Sequence, residues 1–189
     1  MRTLLLVIGL FLLATPLGQA QEMEVPAEVQ YALLHKILAF DRNLKARAGS
    51  ELVIGILYQT AFRSSLSCKD DFVAVMAESQ IDKLVDLPIR HVPIALTDDI
   101  NLAEAAARNS IDIFYVAPLR AVELKTITAV SRNRKILTFT GVPAYVEAGL
   151  TVGIGSKGEN PRVIVNLSAA KAEGVEFSSQ LLKLAKVIE

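Results

Sequence analysis

ELVIGILY, residues 51–58, carries an apolar side chain at every position from Leu52 to Leu57 except Gly55, and is β-branched at Val53, Ile54 and Ile56. The run is short, does not alternate with polar residues and is rich in β-branched side chains. Those properties together fit a strand buried on both faces. Such strands belong to parallel sheets, because the crossover helices cover both sides.

Working outward, the residues before this strand predict a helix starting at Pro26, where the missing N–H of proline costs nothing. Tyr31, Leu34, Ile37 and Leu38 recur at helical spacing, and Gly49 suits the position after the helix end. FDRNL, residues 40–44, interrupts that helix; Asp41 and Arg42 there hold a loop, meet a partner or face water. After the strand, a second helix is expected over 70–79, with Phe72, Val73, Met76 and Ala77 inward and Asp70 and Asp71 at its start. IRHVPIAL, residues 89–96, reads as a strand whose Pro93 argues for an edge or a bulge. Asp98 and Asp99 then cap an Ala-rich helix, IDIFYVAP (111–118) is a buried strand, and LRAVELKTITAV (119–130) and KILTFTG (135–141) continue the alternation. This rhythm predicts an α/β fold of three layers, a mostly parallel sheet flanked by helices.

From Leu150 the rhythm changes. LTVGIG and RVIVNL predict an antiparallel hairpin, followed by two short closing helices split by Gly174. In the last helix, with Ser178 as N-cap, Leu181, Leu184, Ala185 and Ile188 lie at i, i+3, i+4 and i+7, a face expected to pack on the sheet. With Leu184 inward, its replacement by Ala would cost about 2–5 kcal/mol. No internal linker or repeat is visible, so residues 21–189 are expected to form one domain.

The first twenty residues predict a secretory signal peptide. Arg2 precedes the apolar run Leu4 to Leu13, Pro16 follows, and Gly18 and Ala20 place small residues before a cleavage between Ala20 and Gln21. The alternative is an uncleaved anchor. Cleavage leaves 169 residues (189 minus 20) with 19 basic and 20 acidic side chains, because Arg2 is lost from the 20 of each sign. A balance near −1 gives no electrostatic case for nucleic acid or an anionic membrane surface. No remaining apolar run reaches spanning length, so no direct membrane insertion is expected after signal removal. Cys68, the only cysteine, cannot form an internal disulfide and reads first as a small buried hydrophobe.

The search for catalytic constellations comes up empty, and no catalytic residue, cofactor or metal site is expected. Gly153-Ile-Gly-Ser-Lys-Gly158 spells G-x-G-x-x-G, but a strand follows where a dinucleotide loop needs a helix, so the glycines read as hairpin residues. His35 and His91 have no nucleophile or ligand set near them in sequence, and the acidic pairs Asp70–Asp71 and Asp98–Asp99 read as helix caps. Asn166 begins the glycosylation triplet NLS but sits at a strand end, in a chain with a bacterial-style signal. Ligands of open α/β sheets bind beyond the carboxyl ends of the strands. That rule selects Gln59, Thr60 and Arg63 after the first strand, Thr97 after the second, Arg120 after the third, and Thr140 and Gly141 after the fourth. Of these, Gln59, Arg63, Thr97, Arg120 and Thr140 are the ligand-crevice candidates, with Arg63 in FRSSLS placed to clasp an anion.

LLHKILAFDRNL, ELVIGILYQ, KILTFTGVPAYVEAGLTVGIG and above all RVIVNLSAAKAEGVEFSSQLLKLAKVI occur in an order that resembles the YfiR-like family of bacterial periplasmic proteins, from about Val25 to Glu189. The resemblance implies a non-enzymatic regulator. Family members with an assigned role bind the periplasmic sensory part of an inner-membrane diguanylate cyclase and hold it inactive, lowering cyclic-di-GMP and biofilm formation. The best-known members carry paired cysteines; Cys68 stands alone, so disulfide control does not transfer. The alternative is a periplasmic small-ligand receptor of the solute-binding kind. A homodimer through the C-terminal helix face or the edge strand with Pro93 is open.

Overall fold

A computed structural model describes residues 23–120 and 124–189. The expected signal peptide and the cleavage expected between Ala20 and Gln21 lie outside the described residues. In chain order the elements are α1 (Ala27–Leu38), α2 (Leu44–Arg47), β1 (Leu52–Tyr58), α3 (Arg63–Glu78), β2 (Lys83–Leu84), β3 (Leu87–Ala95), α4 (Leu102–Arg108) and β4 (Ile113–Val116). There follow α5 (Leu124–Arg134), β5 (Leu137–Thr140), α6 (Pro143–Glu147), β6 (Val152–Lys157), β7 (Asn160–Asn166), α7 (Leu167–Ala172), α8 (Ser179–Leu184) and β8 (Lys186–Ile188).

The strands form one sheet in the order β2-β3-β1-β4-β5-β6-β7-β8. Strands β3, β1, β4, β5 and β6 are parallel, and β6 and β7 form the expected antiparallel hairpin. Residues of β1 alternate between two apolar cores: Leu52, Ile54 and Ile56 join one that contains α1 and α3 side chains, Val53 and Leu57 join one that contains α4 and α5 side chains. This is the period-2 geometry of a strand covered on both faces. Gly55 lies where an added Cβ would come 3.1 Å from Ile111, so the missing side chain lets the layers close. Pro93 sits on β3, whose pairing beyond β2 is with β1 alone among the described residues, which is where a proline does least harm to a sheet.

Three local expectations are corrected. Helix α3 begins at Arg63 rather than near Asp70, so Asp70 and Asp71 lie exposed in its middle and cap nothing, and Ala77 faces out. Asp98 and Asp99 do not cap α4; Asn101 does, its side-chain oxygen accepting the Glu104 N–H at 3.1 Å. The tail is the largest change. Helix α8 ends at Leu184, Ala185 is extended (φ −86°, ψ 157°), and Lys186–Ile188 add a parallel strand beside β7. Pairing with β7 satisfies main-chain groups that an open sheet edge leaves unpaired, and that outweighs the helical spacing of the apolar residues. Leu181 stays buried, but Leu184 is 79% exposed. Leu184→Ala is therefore expected to change stability by no more than about 0.5 kcal/mol in urea denaturation. A loss above 2 kcal/mol would mean that the residue packs inward after all.

Candidate functional site

The strand order reverses at β1, flanked by β3 and β4, and open α/β sheets bind ligands in the crevice beyond the carboxyl ends of strands at such a point. A crevice of about 350 Å³ lies there, lined among others by Gln59, Thr97, Asp98, Ile100, Arg120 and Thr126. Gln59 follows β1 directly and Arg120 lies a few residues after β4, so the parallel register of these strands brings the two together. The Gln59 amide donates to the Arg120 carbonyl at 3.0 Å and accepts from the Arg120 N–H at 2.6 Å. The Arg120 guanidinium lies 4.9 Å from the centre of the Phe62 ring, a cation–π distance. Across the mouth, the Thr97 hydroxyl donates to Asp99 at 2.7 Å and holds that carboxyl below its usual pKa.

Three of the five strand-end candidates, Gln59, Thr97 and Arg120, thus line one crevice, with a cation, an amide, hydroxyls and apolar side chains. The other two do not. Arg63 is the first residue of α3 and exposed, and the neighbouring Ser65 is buried and accepts the Gln59 N–H at 2.9 Å, so FRSSLS forms a helix start outside the crevice lining. Thr140 is buried; its hydroxyl donates to the Val116 carbonyl at 2.9 Å and accepts from the Val142 N–H at 3.1 Å, which fixes the turn after β5. Thr60 is exposed in a turn, and Gly141 leaves room for Gln30, whose amide an added Cβ would strike.

The remaining sequence motifs are structural. The glycines of G-x-G-x-x-G lie on β6 and in its turn: Gly158 takes φ +63° at the hairpin tip, and a Cβ on Gly153 would collide with Val146. Asn166 caps α7, accepting the Ala169 N–H at 2.9 Å and donating to the Val146 carbonyl at 3.1 Å, so its side chain is engaged. His35 is buried edge-on to Tyr31, 4.4 Å between ring centres, with neither ring nitrogen hydrogen-bonded; burial pushes its pKa down. Among the described residues, no three His, Cys, Asp or Glu side chains gather as a metal site would need.

Two buried acids carry polar architecture: Asp41, for which holding a loop was one of the open readings, and Glu173, which the sequence reading did not single out. Asp41 is buried, pairs with Arg47, and accepts the N–H groups of Asn43 at 3.0 Å and Glu176 at 3.1 Å. It therefore pins the corner between α1 and α2 to the segment before α8, and the exposed Arg42–Glu176 pair lies beside it. Glu173, after α7, is wholly buried and accepts four hydrogen bonds: from the Ser131 hydroxyl (2.7 Å), the Thr138 N–H (2.9 Å), the Thr138 hydroxyl (3.0 Å) and the Thr151 hydroxyl (2.5 Å). Burial raises its pKa and the four donors oppose the rise.

Among solved structures, the fold is similar to a conserved domain protein of Vibrio cholerae O1 biovar El Tor, at a TM-score of 0.61 and 14% identity, over 88% of this chain and 61% of that one. It is also similar to an ABC domain from Streptococcus pneumoniae solved in complex with L-Trp, at 0.59 and 17%, over 86% and 62%. A third likeness is to the ligand-free, open structure of a substrate-binding protein with adhesive properties from Clostridium difficile, at 0.52 and 18%, over 78% and 57%. At these identities the likeness is one of fold, and the chain spans about three fifths of the length of the first two. No curated protein matches it. No helix among the described residues is long and apolar enough to cross a membrane. The YfiR/HmsC-like family profile, by contrast, matches residues 27–186, from the first residue of α1 to β8. The chain belongs to the YfiR/HmsC-like family, and that membership supports a regulatory protein of the periplasm.

Proposed function

We propose that this protein binds the periplasmic sensory part of an inner-membrane signalling protein, a diguanylate cyclase, and holds it inactive without catalysing a reaction itself. The observation that carries this reading is the family match along residues 27–186. The surface is compatible with it: Ile81 and Val85 are exposed beside β2 at one edge of the sheet, Leu184 just before β8 and Val187 on β8 at the other. The regulator binds the inactive sensor better than the active one and so shifts the population; each tenfold preference is worth about 1.4 kcal/mol. The nucleotide stays in the cytoplasm and never meets the regulator. Deleting the gene is expected to raise cellular cyclic-di-GMP several-fold, with restoration by the wild-type chain. An unchanged level in the deletion strain removes the cyclase from the proposal.

A second reading, a small-ligand receptor, is supported by the crevice that joins Gln59, Thr97 and Arg120 at the strand-order reversal. The fold likeness to a domain solved with L-Trp makes amino acids the first panel to try. A ligand at 100 times its dissociation constant adds about 2.7 kcal/mol to stability, which thermal denaturation would read as a raised Tm. The two readings combine if the ligand controls release of the partner.

A further inference from the structure

Between α1 and α3 lies a groove that has no part in the strand-end crevice. It measures about 270 Å³ and is walled by Tyr31 and Ala32 of α1, Val75 of α3, and Ile81, which is 43% exposed ahead of β2. Small-molecule sites run to roughly 300–1,000 Å³ and bury most of their ligand, so this groove suits the side chains of another protein better. The two charged residues in its lining are Glu28 and Glu78, both exposed, and no lysine or arginine lines it. Among the described residues neither carboxylate has an ion-pair or hydrogen-bond partner. Glu78 is the last residue of α3, where the negative end of the helix dipole disfavours an anion. The chain thus leaves two unmatched carboxylates beside apolar walls.

The hairpin that follows Ile81 adds an independent sign. Leu84 pairs with Leu87, so Val85 and Asp86 form a two-residue turn, with φ +51° and +70°. Turns of this kind favour Asn-Gly, and a β-branched residue in the left-handed region is a rare outlier. Val85 is also 38% exposed, so the chain strains its backbone to hold an apolar side chain in water. Strain of this kind clusters where a contact makes use of it.

We propose that the α1–α3 groove and the β2–β3 hairpin form the docking surface for a cationic segment of the membrane sensor, one that carries apolar side chains beside Lys or Arg. The inference rests on the regulatory reading and adds to it the surface and its complementary chemistry. Apolar side chains of the sensor fill the groove against Tyr31, Val75 and Ile81, and its cations lie over Glu28 and Glu78. A second copy of this chain fits worse, because a two-fold contact through the groove sets the carboxylates of one copy against those of the other. Leu181 of α8 enters the same core as the α1 and α3 side chains, so α8, with Leu184, lies on the same side of the sheet and one partner reaches both.

The test is capture of the diguanylate cyclase from solubilised membranes by immobilised residues 21–189. Wild type is compared with Ile81→Asp, with Glu28→Lys combined with Glu78→Lys, and with Val85→Asn, each with its Tm measured. The expected result is retention lowered about tenfold in each variant, and lowered for wild type by added salt. Asn suits the turn, so Val85→Asn should raise the Tm while it weakens retention, a combination that a merely structural role does not give. If wild type retains the cyclase and any of the three folded variants retains it equally well, this surface is overturned and the regulatory reading stands. A wild-type chain that retains no cyclase overturns the regulatory reading and this inference with it. Sedimentation of the same chains covers the remaining occupant: a wild-type dimer that Ile81→Asp dissociates assigns the groove to a second copy and overturns the proposal.

Discussion

Glu173→Ala is expected to lower the free energy of unfolding by roughly 3–5 kcal/mol, read by urea denaturation of the chain from residue 21. The substitution leaves the Thr138 N–H and the Ser131, Thr138 and Thr151 hydroxyls facing a void. Each buried donor without an acceptor costs about 1–3 kcal/mol, offset in part where a hydroxyl turns to another acceptor such as the Thr128 carbonyl, 3.1 Å from Ser131. The same residue sets a pH dependence. Its folded pKa is raised above the unfolded value, so between the two the folded chain holds a proton that the unfolded chain has lost. The contribution of Glu173 to stability is then greatest below the unfolded value, about 4.3, and is lost as pH rises through the folded one. Glu173→Gln, which cannot titrate, is expected to flatten that part of the pH–stability curve; an unchanged curve would assign the slope to another group.

Phe72→Ala should be comparably damaging, at about 3–5 kcal/mol, or a fall in Tm of roughly 10 °C. Phe72 is wholly buried in the middle of α3, stacked on Tyr115 with ring centres 3.8 Å apart and edge-on to Tyr31 at 5.7 Å. It therefore joins α1 and α3 to β4, and truncation opens a cavity that three elements would have to close. Phe72→Leu keeps most of the volume and is expected to lose less than half as much. Equal losses for the two would show that the aromatic stack, rather than the filled volume, carries the stability.

The sheet was legible because its strands are buried on both faces, and continuous apolar runs such as residues 52–57 and 113–116 announce that burial directly. Pro93 and the hairpin glycines gave the edge and the turn by the same kind of local rule. The tail was not legible. Leu181, Leu184, Ala185 and Ile188 have helical spacing, and only the free edge of β7, assembled from distant parts of the chain, makes a strand the better ending. Helix α3 was read too short because its first turn, Arg63 to Leu66, has no side-chain cap to mark it. For the crevice, the strand-end rule found Gln59, Thr97 and Arg120, since a position after a strand can be counted along the sequence. It could not tell that Thr140 turns back to bond Val116. Glu173 gave no signal at all: its partners lie 42, 35 and 22 residues away, and no periodicity links them.

The measurement that bears most directly on the regulatory reading is affinity capture with residues 21–189 from solubilised membranes of the same bacterium, with retained proteins identified by mass spectrometry. The expected result is a transmembrane protein that carries a diguanylate cyclase domain, with weaker retention by a Leu184→Asp chain of unchanged Tm. Specific retention of no membrane protein, under conditions where the captured chain is folded, would contradict the regulatory account.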